Sequence, residues 1–557
     1  IHDAIRIFMA IGISTSIILA VEAIYYFSVS EHLLKPALIV IDAFIVIFLM
    51  GSLRLGLRIL YRTVTPKQAL HSIPVVIYGA GEAGLILKKS ISSDDRKSKK
   101  VVAFIDDNVS LQGKSIEGVK IFGSDIPLDK LVGEDPEAEL IIAIKNLKPE
   151  NKKSVIESSL EYGLKVKIIP PVQAWINGEF NPKNIKNVKI EDLLERDPIK
   201  LSKAKISSEL NDKVILVTGA AGSIGSEIVR QCIAFKPKTL VLLDQAESPL
   251  YEIENELKDR FDVKVVIGDI CNEARMKRVF SYYKPTYVFH AAAYKHVPLM
   301  EDNPYEAIST NVFGTQIIAN LSVKYNVKKF VFVSTDKAVN PTNIMGASKR
   351  IAEIYVQSLN EKLALEHDNH TRFVTTRFGN VLGSNGSVIP IFKRQIEQGG
   401  PITVTHPYVR RFFMTIPEAC QLVLEAGVMG RGGEIYIFNM GESVKIVDLA
   451  KKMINLSGLE VNKDIKIKFT GLRPGEKLKE ELLNNGENTV GTHNPKIMVA
   501  LVQKYNYLKV NAIINELFEQ KDAVTNRSIV RTMKHIVPEY ISNNSIYEDL
   551  DNRFIES

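Results

Sequence analysis

The chain has 557 residues, which is too long for one ordinary domain and predicts two or three. Hydrophobic residues make up 45% and charged residues 24%, which is typical of folded globular protein. The net charge of +7 is small for this length, and no basic stripe carries interleaved aromatic residues, so nucleic acid is not a predicted partner. Cys232, Cys271 and Cys420 have no CxxC spacing, and the histidines have no HExxH-type spacing. The sequence therefore predicts neither a disulfide framework nor a metal site, and favours a reducing compartment.

Two apolar runs near the start of the chain are long enough to cross a bilayer as helices. Residues 7–27 and 38–57 each approach the roughly 20 apolar residues that a span requires. A short polar stretch joins them, so residues 1–65 are predicted to form a transmembrane helical hairpin. Positive residues accompany and follow the second run, namely Arg54, Arg58, Arg62 and Lys67. This bias predicts a multi-pass protein of the inner (cytoplasmic) membrane, with its catalytic domain in the cytoplasm.

Two acidic residues, Glu22 and Asp42, interrupt these apolar runs. Charged groups in lipid are costly, so we expect both side chains to reach the nearby interface or to pair within the helices. A buried hydrophobic hairpin in a soluble fold is the alternative interpretation of the whole segment. A signal peptide is disfavoured because there are two runs and no small-residue cleavage site between them. The chain begins at Ile1 rather than Met, which predicts that further sequence lies upstream.

Residues 70–170 have the pattern of a first Rossmann-like domain. The apolar run Pro74–Tyr78 leads directly into Gly79-Ala-Gly81-Glu-Ala-Gly84, a GxGxxG motif followed by a helical pattern. Further strands are predicted at 101–105 and 140–144, which indicates a doubly wound sheet. Glycines are also needed for tight packing between strand and helix. This motif therefore leaves both nucleotide binding and a vestigial or regulatory role open.

A second glycine motif gives a stronger signal. The strand Lys213–Thr218 is followed by Gly219-Ala-Ala-Gly222-Ser223-Ile224-Gly225 and another helical pattern. The first glycine makes the turn, and the second lets backbone N–H groups approach a pyrophosphate at the helix N-terminus. The third glycine lets the helix pack against the strand. The segment is therefore predicted to bind a dinucleotide.

The identity of the dinucleotide is indicated by Asp244. This residue follows the next strand, about twenty residues after the glycines, where an acid can bind the ribose hydroxyls of NAD. Because the acid repels the extra phosphate of NADP, NAD is the predicted cofactor and NADP is disfavoured. Residues at the ends of later strands complete the predicted cofactor site, namely Asp269, Ile270, Ala291, Ala292 and Ala293.

Longer motifs carry a family resemblance. They are TGAAGSIG from Thr218, HAAAYKHVPLME from His290, NVFGT from Asn311, STDK from Ser334, RFGNVLGSNGSVIP from Arg377 and LRPGEKLKEEL from Leu472. With them the chain resembles the extended short-chain dehydrogenase/reductase family. Together with the hairpin and the first Rossmann-like domain, it resembles the large membrane-bound UDP-N-acetylglucosamine 4,6-dehydratases of the CapD type. The resemblance is specific over residues 205–483 and looser elsewhere, and it implies that Asn311, Ser334 and Lys349 also serve the cofactor.

One position departs from the general family. That family uses a YxxxK pair, in which lysine lowers the pKa of tyrosine so that the phenolate takes a proton. Here Met345 stands at the tyrosine position, and Lys349 is retained. A thioether cannot be a general base, so an epimerase or reductase that relies on this tyrosine is disfavoured. The large dehydratases resemble this chain in having methionine here.

The resemblance implies an internal redox reaction, in which hydride leaves C4 of the sugar, water is lost across C5 and C6, and hydride returns to C6. The segment 334–337 follows an apolar strand, at the end where open α/β sheets bind ligands. Asp336 is the candidate acid for water loss and would have to carry a proton near neutral pH. Lys337 is the candidate base at C5 and would need a lowered pKa. Thr335 would hydrogen-bond the 4-oxygen and Lys349 the nicotinamide ribose, while the group that deprotonates the 4-hydroxyl stays open.

Polar residues in the later motifs are candidates for binding the UDP part of the substrate. Arg411 and Arg473 suit a pyrophosphate, because a guanidinium donates two parallel hydrogen bonds. A plain surface position is the alternative for each arginine. Glu476 is the candidate for the uridine ribose. The remaining substrate candidates are Lys295, Asn380, Ser387 and Val388.

The sequence thus predicts an α/β protein with a transmembrane helical hairpin and two Rossmann-like doubly wound parallel-sheet domains, the second with a smaller C-terminal substrate-binding part. The predicted bounds are 1–65 for the hairpin, 70–170 for the first domain, 171–205 for a linker, 206–500 for the catalytic domain and 501–557 for a helical extension.

The implied function is NAD-dependent 4,6-dehydration of UDP-N-acetylglucosamine with retention at C5, for bacterial surface glycan synthesis or protein glycosylation. Inversion at C5, another UDP-hexose substrate, and a non-enzymatic NAD-sensing membrane scaffold are the alternatives. The predicted partners are the UDP-sugar and the lipid bilayer, and family analogy predicts a homo-oligomer.

Overall fold

The computed structural model divides the chain into two compact units, one of residues 1–73 with 92–100 and one of the remainder. It describes residues 2–64, 72–93, 99–133, 135, 137–144, 147–169, 185–194, 202–483, 488–519 and 525–551. The predicted hairpin followed by α/β parts is confirmed.

Two long apolar helices form the N-terminal hairpin, α1 (His2–Val29) and α2 (Pro36–Val64). Their stretches Phe8–Val29 and Pro36–Leu57 have mean hydropathies of 1.8 and 2.4, and only 6% of each is buried. Both are long and apolar enough to span a bilayer. Because these apolar side chains are exposed, the hairpin is not a buried core element of this chain.

The acidic residues of the hairpin differ in their surroundings. Glu22 is buried, and its carboxylate accepts a hydrogen bond from the backbone N–H of Leu34 at 3.1 Å. The other carboxylate oxygen lies 3.0 Å from Nδ1 of His32. Glu22 thus pairs within the hairpin, which agrees with one of the two expectations. Asp42 is exposed on α2.

The first sheet has seven strands, in the order β3-β4-β2-β1-β5-β6-β7. Strand β4 is parallel to β2, and β5 is parallel to β1 and β6, while β3 and β7 are antiparallel edges. The strands are β1 (Ile73–Tyr78), β2 (Lys99–Ile105), β3 (Ser115–Ile116), β4 (Val119–Phe122), β5 (Glu139–Ile142), β6 (Lys165–Ile168) and β7 (Lys186–Asn187). Its helices are α3 (Glu82–Ser93), α4 (Asp129–Val132), α5 (Pro149–Glu161) and α6 (Ile190–Leu193).

Part of the predicted linker is folded instead. Strand β7 pairs with β6, so it extends the first sheet by one strand. In α6, Ile190 and Leu193 are buried, and Asp192 forms an ion pair with Lys152 of α5 at 2.7 Å. A two-residue strand and a one-turn helix are too short to show periodicity, which is why the sequence missed them. Residues 170–184 and 195–201 of that prediction lie outside the described residues.

The second sheet has nine strands, in the order β10-β9-β8-β11-β12-β13-β18-β22-β21. It is parallel from β10 to β18, and the last two strands are antiparallel. The strands are β8 (Val214–Thr218), β9 (Thr239–Asp244), β10 (Val263–Ile267), β11 (Tyr287–His290), β12 (Lys329–Val333), β13 (Arg372–Arg377), β18 (Ile435–Phe438), β21 (Asn488–Gly491) and β22 (Ile497–Leu501). The order is that of a dinucleotide-binding sheet, in which ligands lie at the carboxyl ends of the strands.

Helices cover both faces of this sheet. They are α7 (Lys203–Leu210), α8 (Ser223–Ile233), α9 (Glu247–Leu257), α10 (Glu273–Tyr283), α11 (Val297–Asp302), α12 (Pro304–Ile308), α13 (Thr315–Lys324), α14 (Ile344–Glu366) and α16 (Ile416–Met429). A π-helical turn spans Ser309–Gly314, and 3₁₀ turns span Asp336–Ala338 and Glu548–Leu550.

A smaller part is inserted around the carboxyl edge. It contains three short strand pairs and two helices. These are β14 (Asn380–Val381) with β17 (Phe413–Met414), β15 (Ile402–Val404) with β20 (Ile467–Phe469), β16 (Arg410–Arg411) with β19 (Val444–Lys445), α15 (Val388–Glu397) and α17 (Ile446–Leu456). Its apolar residues share one buried cluster with the first sheet, so the two predicted domains are packed together rather than joined only by a linker.

The C-terminal extension packs on the long helix α14. Its helices are α18 (Tyr507–Glu519) and α19 (Asn526–Ile536), and both contact α14. Every α14 residue from Ile344 to Asn360 is buried. The extension therefore completes the core around the helix that carries Met345 and Lys349.

We predict that Leu193→Ala lowers the stability of the whole folded part. Leu193 is 2% exposed, within the cluster that the first sheet shares with the inserted part, so the cavity should cost about 2–5 kcal/mol. Urea denaturation of the full chain in detergent measures this loss. Leu365→Ala is the control, because Leu365 is 91% exposed and its removal should change stability by about 0.5 kcal/mol or less. Equal effects of the two substitutions would contradict the packing described for α6.

Candidate active site

The backbone of the second glycine loop is packed too tightly against neighbouring backbone to leave room for side chains at two of its glycines. Gly219 has a φ of +68°, and a Cβ there would lie 2.5 Å from the backbone nitrogen of Ala292. A Cβ on Gly225 would collide with the carbonyl oxygen of Gly219. Glycine is therefore required at both ends of the loop, and α8 begins directly beneath it at Ser223. The N-terminus of this helix can receive a diphosphate.

Asp244 lies beside this loop at the end of β9. One carboxylate oxygen accepts from the N–H of Ala221 at 3.0 Å, and the other from the N–H of Ala246 at 3.0 Å. These bonds fix the acid against the glycine loop, at the position that a cofactor ribose requires. A carboxylate here can accept hydrogen bonds from ribose hydroxyls but would repel a 2′-phosphate, so the site fits NAD better than NADP.

The other predicted cofactor residues play different parts. Asp269 accepts from the N–H of Cys271 at 2.9 Å and closes its own turn, and Ile270 is buried against Gly314. Asn311 is fully buried, and its amide bonds both backbone groups of Tyr294 and the hydroxyl of Ser348. Its polar atoms are therefore engaged within the chain, and Asn311 positions the segment after β11 against α14.

Further cofactor candidates surround the same edge. Ala291, Ala292 and Ala293 follow β11 directly, next to the glycine loop. Ile224 lies in the first turn of α8, packed against a core cluster. Ser334 is buried at the end of β12, and its N–H donates to the carbonyl of Thr376 at 2.8 Å.

The predicted acid and base form one cluster after β12. Asp336 is 1% exposed, and its Oδ1 accepts from the Thr335 hydroxyl and from the Lys337 ammonium, each at 3.0 Å. Lys337 also donates to the side-chain oxygen of Asn380 at 3.0 Å. The second oxygen of Asp336 has no hydrogen-bond partner among the described residues. A buried carboxylate oxygen left without a donor is a natural contact for a substrate hydroxyl.

The pKa of Lys337 differs from the lowered value that its predicted role as a base requires. Burial lowers the pKa of this ammonium, but the carboxylates of Asp336 and Glu480 outweigh burial and hold the pKa above its ordinary value. The expectation of a lowered pKa is therefore not met in the chain itself. The causes are Asp336, which is its neighbour in the chain, and Glu480, which is far away in sequence and was not recognised.

Lys349, in contrast to Lys337, has a lowered pKa. Its ammonium donates to the carbonyl of Val333 at 2.8 Å and lies 4.1 Å from the ring centre of Phe332. Burial lowers its pKa to about 7, and Glu353 only partly opposes this. Met345 lies one turn earlier on the same helix and is 3% exposed. Lys349 can therefore exchange a proton near neutral pH, where an ordinary lysine could not.

A buried ion pair holds this helix to the sheet. Arg377 donates two hydrogen bonds, of 2.8 and 2.7 Å, to Glu353, and both side chains are 1% exposed or less. Burial raises the pKa of Glu353, but Arg377 and Arg350 outweigh burial and keep the carboxyl ionised. Glu353 lies four residues after Lys349, on the same helical face, and this spacing could have indicated it.

The predicted diphosphate residues meet in a second charge cluster. Arg411 lies 3.3 Å from Glu476 and 3.7 Å from Glu480, and Arg473 lies 3.4 Å from Glu476. Arg411 is buried, whereas the Arg473 side chain is 56% exposed. The surface alternative therefore fits Arg473 better than Arg411. Glu476 also accepts from the hydroxyl of Thr405 at 3.1 Å, so it is fixed among its donors.

The remaining substrate candidates lie on two loops that touch. A Cβ on Gly386 would lie 2.5 Å from the ring of His296, so the Lys295 loop and the Ser387 loop are in contact. Ser387 precedes the first turn of α15, which begins at Val388, and its hydroxyl is buried with no partner in the described parts of the chain. Burial lowers the pKa of Lys295.

The C-terminal extension reaches this region, which the sequence did not indicate. The N–H of Asn543 donates to the carbonyl of Thr342 at 3.2 Å, and its carbonyl accepts from the N–H of Gly475 at 2.7 Å. The hydroxyl of Ser545 donates to Glu301 at 2.6 Å, and Glu301 accepts from the N–H of Ile344 at 2.7 Å. The extension therefore joins the start of α14 to the loop that carries Glu476.

Comparison with known sequences identifies the family. The family model described as "Polysaccharide biosynthesis protein" matches residues 215–502, which is the second sheet with its inserted part. The chain belongs to this family. The relatives that follow are of the CapD and EpsC type, which matches the resemblance predicted from the motifs.

Capsular polysaccharide biosynthesis protein CapD of Staphylococcus aureus is 45% identical over 476 residues, or 85% of this chain and 78% of that protein. Probable polysaccharide biosynthesis protein EpsC of Bacillus subtilis is 41% identical over 477 residues, with the same coverage. A UDP-N-acetylglucosamine 4,6-dehydratase (inverting) of Campylobacter jejuni is 34% identical over 281 residues, or 50% of this chain and 79% of that protein.

Solved structures match about half of this chain. Pen from Bacillus thuringiensis is 33% identical, covers 56% of this chain and 99% of its own, and has a TM-score of 0.49. The dTDP-glucose 4,6-dehydratase DesIV of Streptomyces venezuelae, with NAD bound, is 22% identical, covers 48% and 87%, and has a TM-score of 0.43.

We predict that Asp244→Asn weakens NAD binding by about tenfold or more, because a charged acceptor for the ribose is lost. The same change should narrow the preference for NAD over NADP, because less negative charge faces the 2′-phosphate. Isothermal titration of the full chain with each dinucleotide measures both effects. Asp259→Asn, at an exposed position after α9, is the control and should bind like the wild type. An unchanged preference would contradict the position assigned to Asp244.

We predict that the stability difference between Lys349→Met and the wild type depends on pH. The native pKa is about 7 and the unfolded pKa is higher, so the unfolded wild type binds more protons between these values. The wild type therefore gains stability as pH rises, and any advantage of the methionine variant shrinks by about 1.4 kcal/mol per pH unit. Urea denaturation at pH 7, 8 and 9 measures this trend. A difference that stays constant would contradict the lowered pKa, and Lys362→Met on the same helix is the control.

Proposed function

We propose that this protein catalyses the NAD-dependent 4,6-dehydration of UDP-N-acetylglucosamine, with retention at C5. The observation that carries the proposal is the hydrogen-bonded Thr335-Asp336-Lys337 cluster at the carboxyl end of β12, with Asp336 buried, combined with Met345 at the usual tyrosine position. This set supplies an acid and a base but no phenol, which suits elimination better than simple epimerisation. The name of the Campylobacter jejuni relative supports the substrate and the reaction type.

Bound NAD would supply hydride transfer at C4 and C6, and the glycine loop with Asp244 would hold it. The chain supplies the proton transfers. Thr335 contacts Oδ1 of Asp336 at 3.0 Å and would hydrogen-bond the sugar 4-hydroxyl, so the 4-hydroxyl proton would pass through the threonine hydroxyl to Asp336. Asp336 is then protonated and can give this proton to the departing 6-hydroxyl, which leaves as water.

Lys337 completes the elimination. Its amine takes the C5 proton, which is acidic once C4 is a ketone, and returns a proton to C5 when C6 has been reduced. On this scheme Asp336 need not hold a proton at the start, because the first step provides one. Lys349, one turn from Met345, would bind the nicotinamide ribose and set the local field.

The partners and location follow from the same proposal. The diphosphate of UDP would replace a carboxylate at Arg411, with Arg473 at the exposed side. The two apolar helices would anchor the chain in the inner membrane, with the positive residues in the last part of α2 favouring a cytoplasmic catalytic part. The homo-oligomer stays a prediction from family analogy.

Inversion at C5 is the second candidate, and the printed name of the Campylobacter jejuni relative favours it. NMR of the product decides between the two configurations. A non-enzymatic NAD-sensing scaffold would be favoured if NAD were bound but no UDP-sugar were converted.

We predict that Asp336→Asn lowers kcat by about 10²–10⁴-fold, because an amide can neither take nor give the proton. The assay incubates full-length protein with UDP-N-acetylglucosamine and follows the loss of one water by mass spectrometry. Asp368→Asn, at an exposed position after α14, is the matched control and should retain wild-type activity. A fully active Asp336→Asn variant would overturn the assignment of the acid.

A further inference from the structure

Glu480 is a buried acid that the proposed reaction does not yet use. It lies a few residues after the Glu476 loop and is 4% exposed. Oε1 lies 3.8 Å from the Lys337 ammonium and 3.7 Å from the Arg411 guanidinium. Oε2 is buried and lacks a hydrogen-bond partner within the described part of the chain. Burying a carboxylate with an unsatisfied oxygen is costly, so this position calls for a role beyond packing.

Glu480 links the two halves of the candidate site. Lys337 lies on the side of the sugar, where C5 would react, and Arg411 lies on the side of the diphosphate. Lys337 is faced by Asp336 from its own turn, by Asn380 from β14, by Glu480, and at longer range by Arg411. Glu480 is therefore the one carboxylate that touches both the proposed base and the predicted phosphate-binding arginine among these residues.

The charges facing Lys337 create a problem for the reaction. Two carboxylates keep its pKa above the ordinary value, so the lysine holds its proton and cannot accept another from C5. A base needs a free electron pair, so a proton must leave the lysine before elimination begins. Asp336 is unsuited to accept it, because Asp336 receives the 4-hydroxyl proton in the same reaction.

We propose that Glu480 accepts the proton of Lys337 when the substrate diphosphate engages Arg411, which makes Glu480 a positioning residue for the C5 base. An N–H bond of the ammonium breaks, an O–H bond forms on Glu480, and Lys337 is left as a neutral amine. The amine then takes the C5 proton, and the proton on Glu480 returns to lysine after C5 has been reprotonated. This inference rests on the proposed function for the identity of the reacting carbon.

The physical reason is the loss of a positive neighbour. In the described structure Arg411 balances Glu480 and Glu476 together. A diphosphate brings negative charge to Arg411 and draws the guanidinium away from Glu480. Added negative charge favours the protonated form of both Glu480 and Lys337. Because Arg411 contacts Glu480 and reaches Lys337 only at longer range, the larger effect falls on Glu480, and a neutral acid–amine pair is less costly to bury than an ion pair. Substrate binding would thus prepare the base, and the free protein would keep it protonated.

The first test uses the isosteric change Glu480→Gln in the full chain. Without an acceptor at position 480, Lys337 must lose its proton to solvent while the carboxylate of Asp336 still favours the charged lysine, so kcat should fall at least about 100-fold near neutral pH. The kcat of the variant should then rise about tenfold per pH unit towards alkaline pH, whereas the kcat of the wild type should not change over the same range. KM should change by less than about threefold, because the ion pair with Glu476 still holds Arg411 in place to bind the diphosphate. Glu480→Asp, which keeps the carboxylate, should restore much of kcat at neutral pH.

The matched control is Glu481→Gln. Glu481 is the next residue, but it faces away, pairing with Lys477 at 3.5 Å and accepting from Asn340 at 2.8 Å. It should behave like the wild type at every pH. A Glu480→Gln variant with wild-type kcat, or with an equal loss at all pH values, would overturn the proposal. The second outcome would indicate a merely structural role.

A second test does not depend on turnover. UDP alone is the probe, and the reactivity of Lys337 is read by trace acetylation with acetic anhydride and peptide mass spectrometry. UDP should raise the acetylation rate of Lys337 about tenfold or more in the wild type and leave it unchanged in Glu480→Gln. No rise in the wild type would overturn the inference. If UDP raises the rate but no sugar is dehydrated, the proton transfer stands and the proposed function fails.

Discussion

Charge that is buried at the carboxyl edge of the second sheet must be balanced within the chain, and much of the site depends on this constraint. Asp336 and Glu480 are balanced by Lys337 and Arg411, and Glu353 by Arg377. Removing one member of a buried pair leaves an uncompensated charge, which costs several kcal/mol. The pairs therefore fix side chains that come from five separate segments of the chain. Because the charges are balanced, a charged ligand that binds in the site must cause protons to move or ion pairs to change partners.

The two lysines of the site show how this balance sets chemistry. Both are buried, yet their pKa values shift in opposite directions. Lys337 faces two carboxylates and keeps its proton, whereas Lys349 faces a backbone carbonyl and an aromatic ring and gives its proton up easily. Glu353 is too strongly engaged by Arg377 to restore the charge on Lys349. Residue type alone therefore does not decide whether a lysine can act as a base. The number of charged groups within a few ångströms decides it.

The sequence gives its clearest predictions where a feature depends on a local pattern. The glycine loop before α8, the acid at Asp244 and the exchange of tyrosine for Met345 all follow from spacing within a short segment. The pairing of Lys337 with Glu480 did not follow, because 143 positions separate residues whose distance is set by tertiary packing. The contacts of Asn311 within the chain were not predicted for a related reason, since its amide bonds a loop and a helix that the sequence does not place beside it. Strand β7 was not predicted because a two-residue strand is too short to show an alternating hydrophobic pattern.

The enclosure of α14 has a consequence for how copies of this protein can assemble. Residues 344–360 are buried within one chain, and α18 and α19 of that same chain form part of the cover. A helix enclosed in this way cannot be shared between two molecules as part of a joint bundle. Any assembly would have to use other surfaces, so each catalytic helix would keep its own supporting contacts whether or not a neighbour is present. Catalytic competence and quaternary structure would then be free to evolve separately.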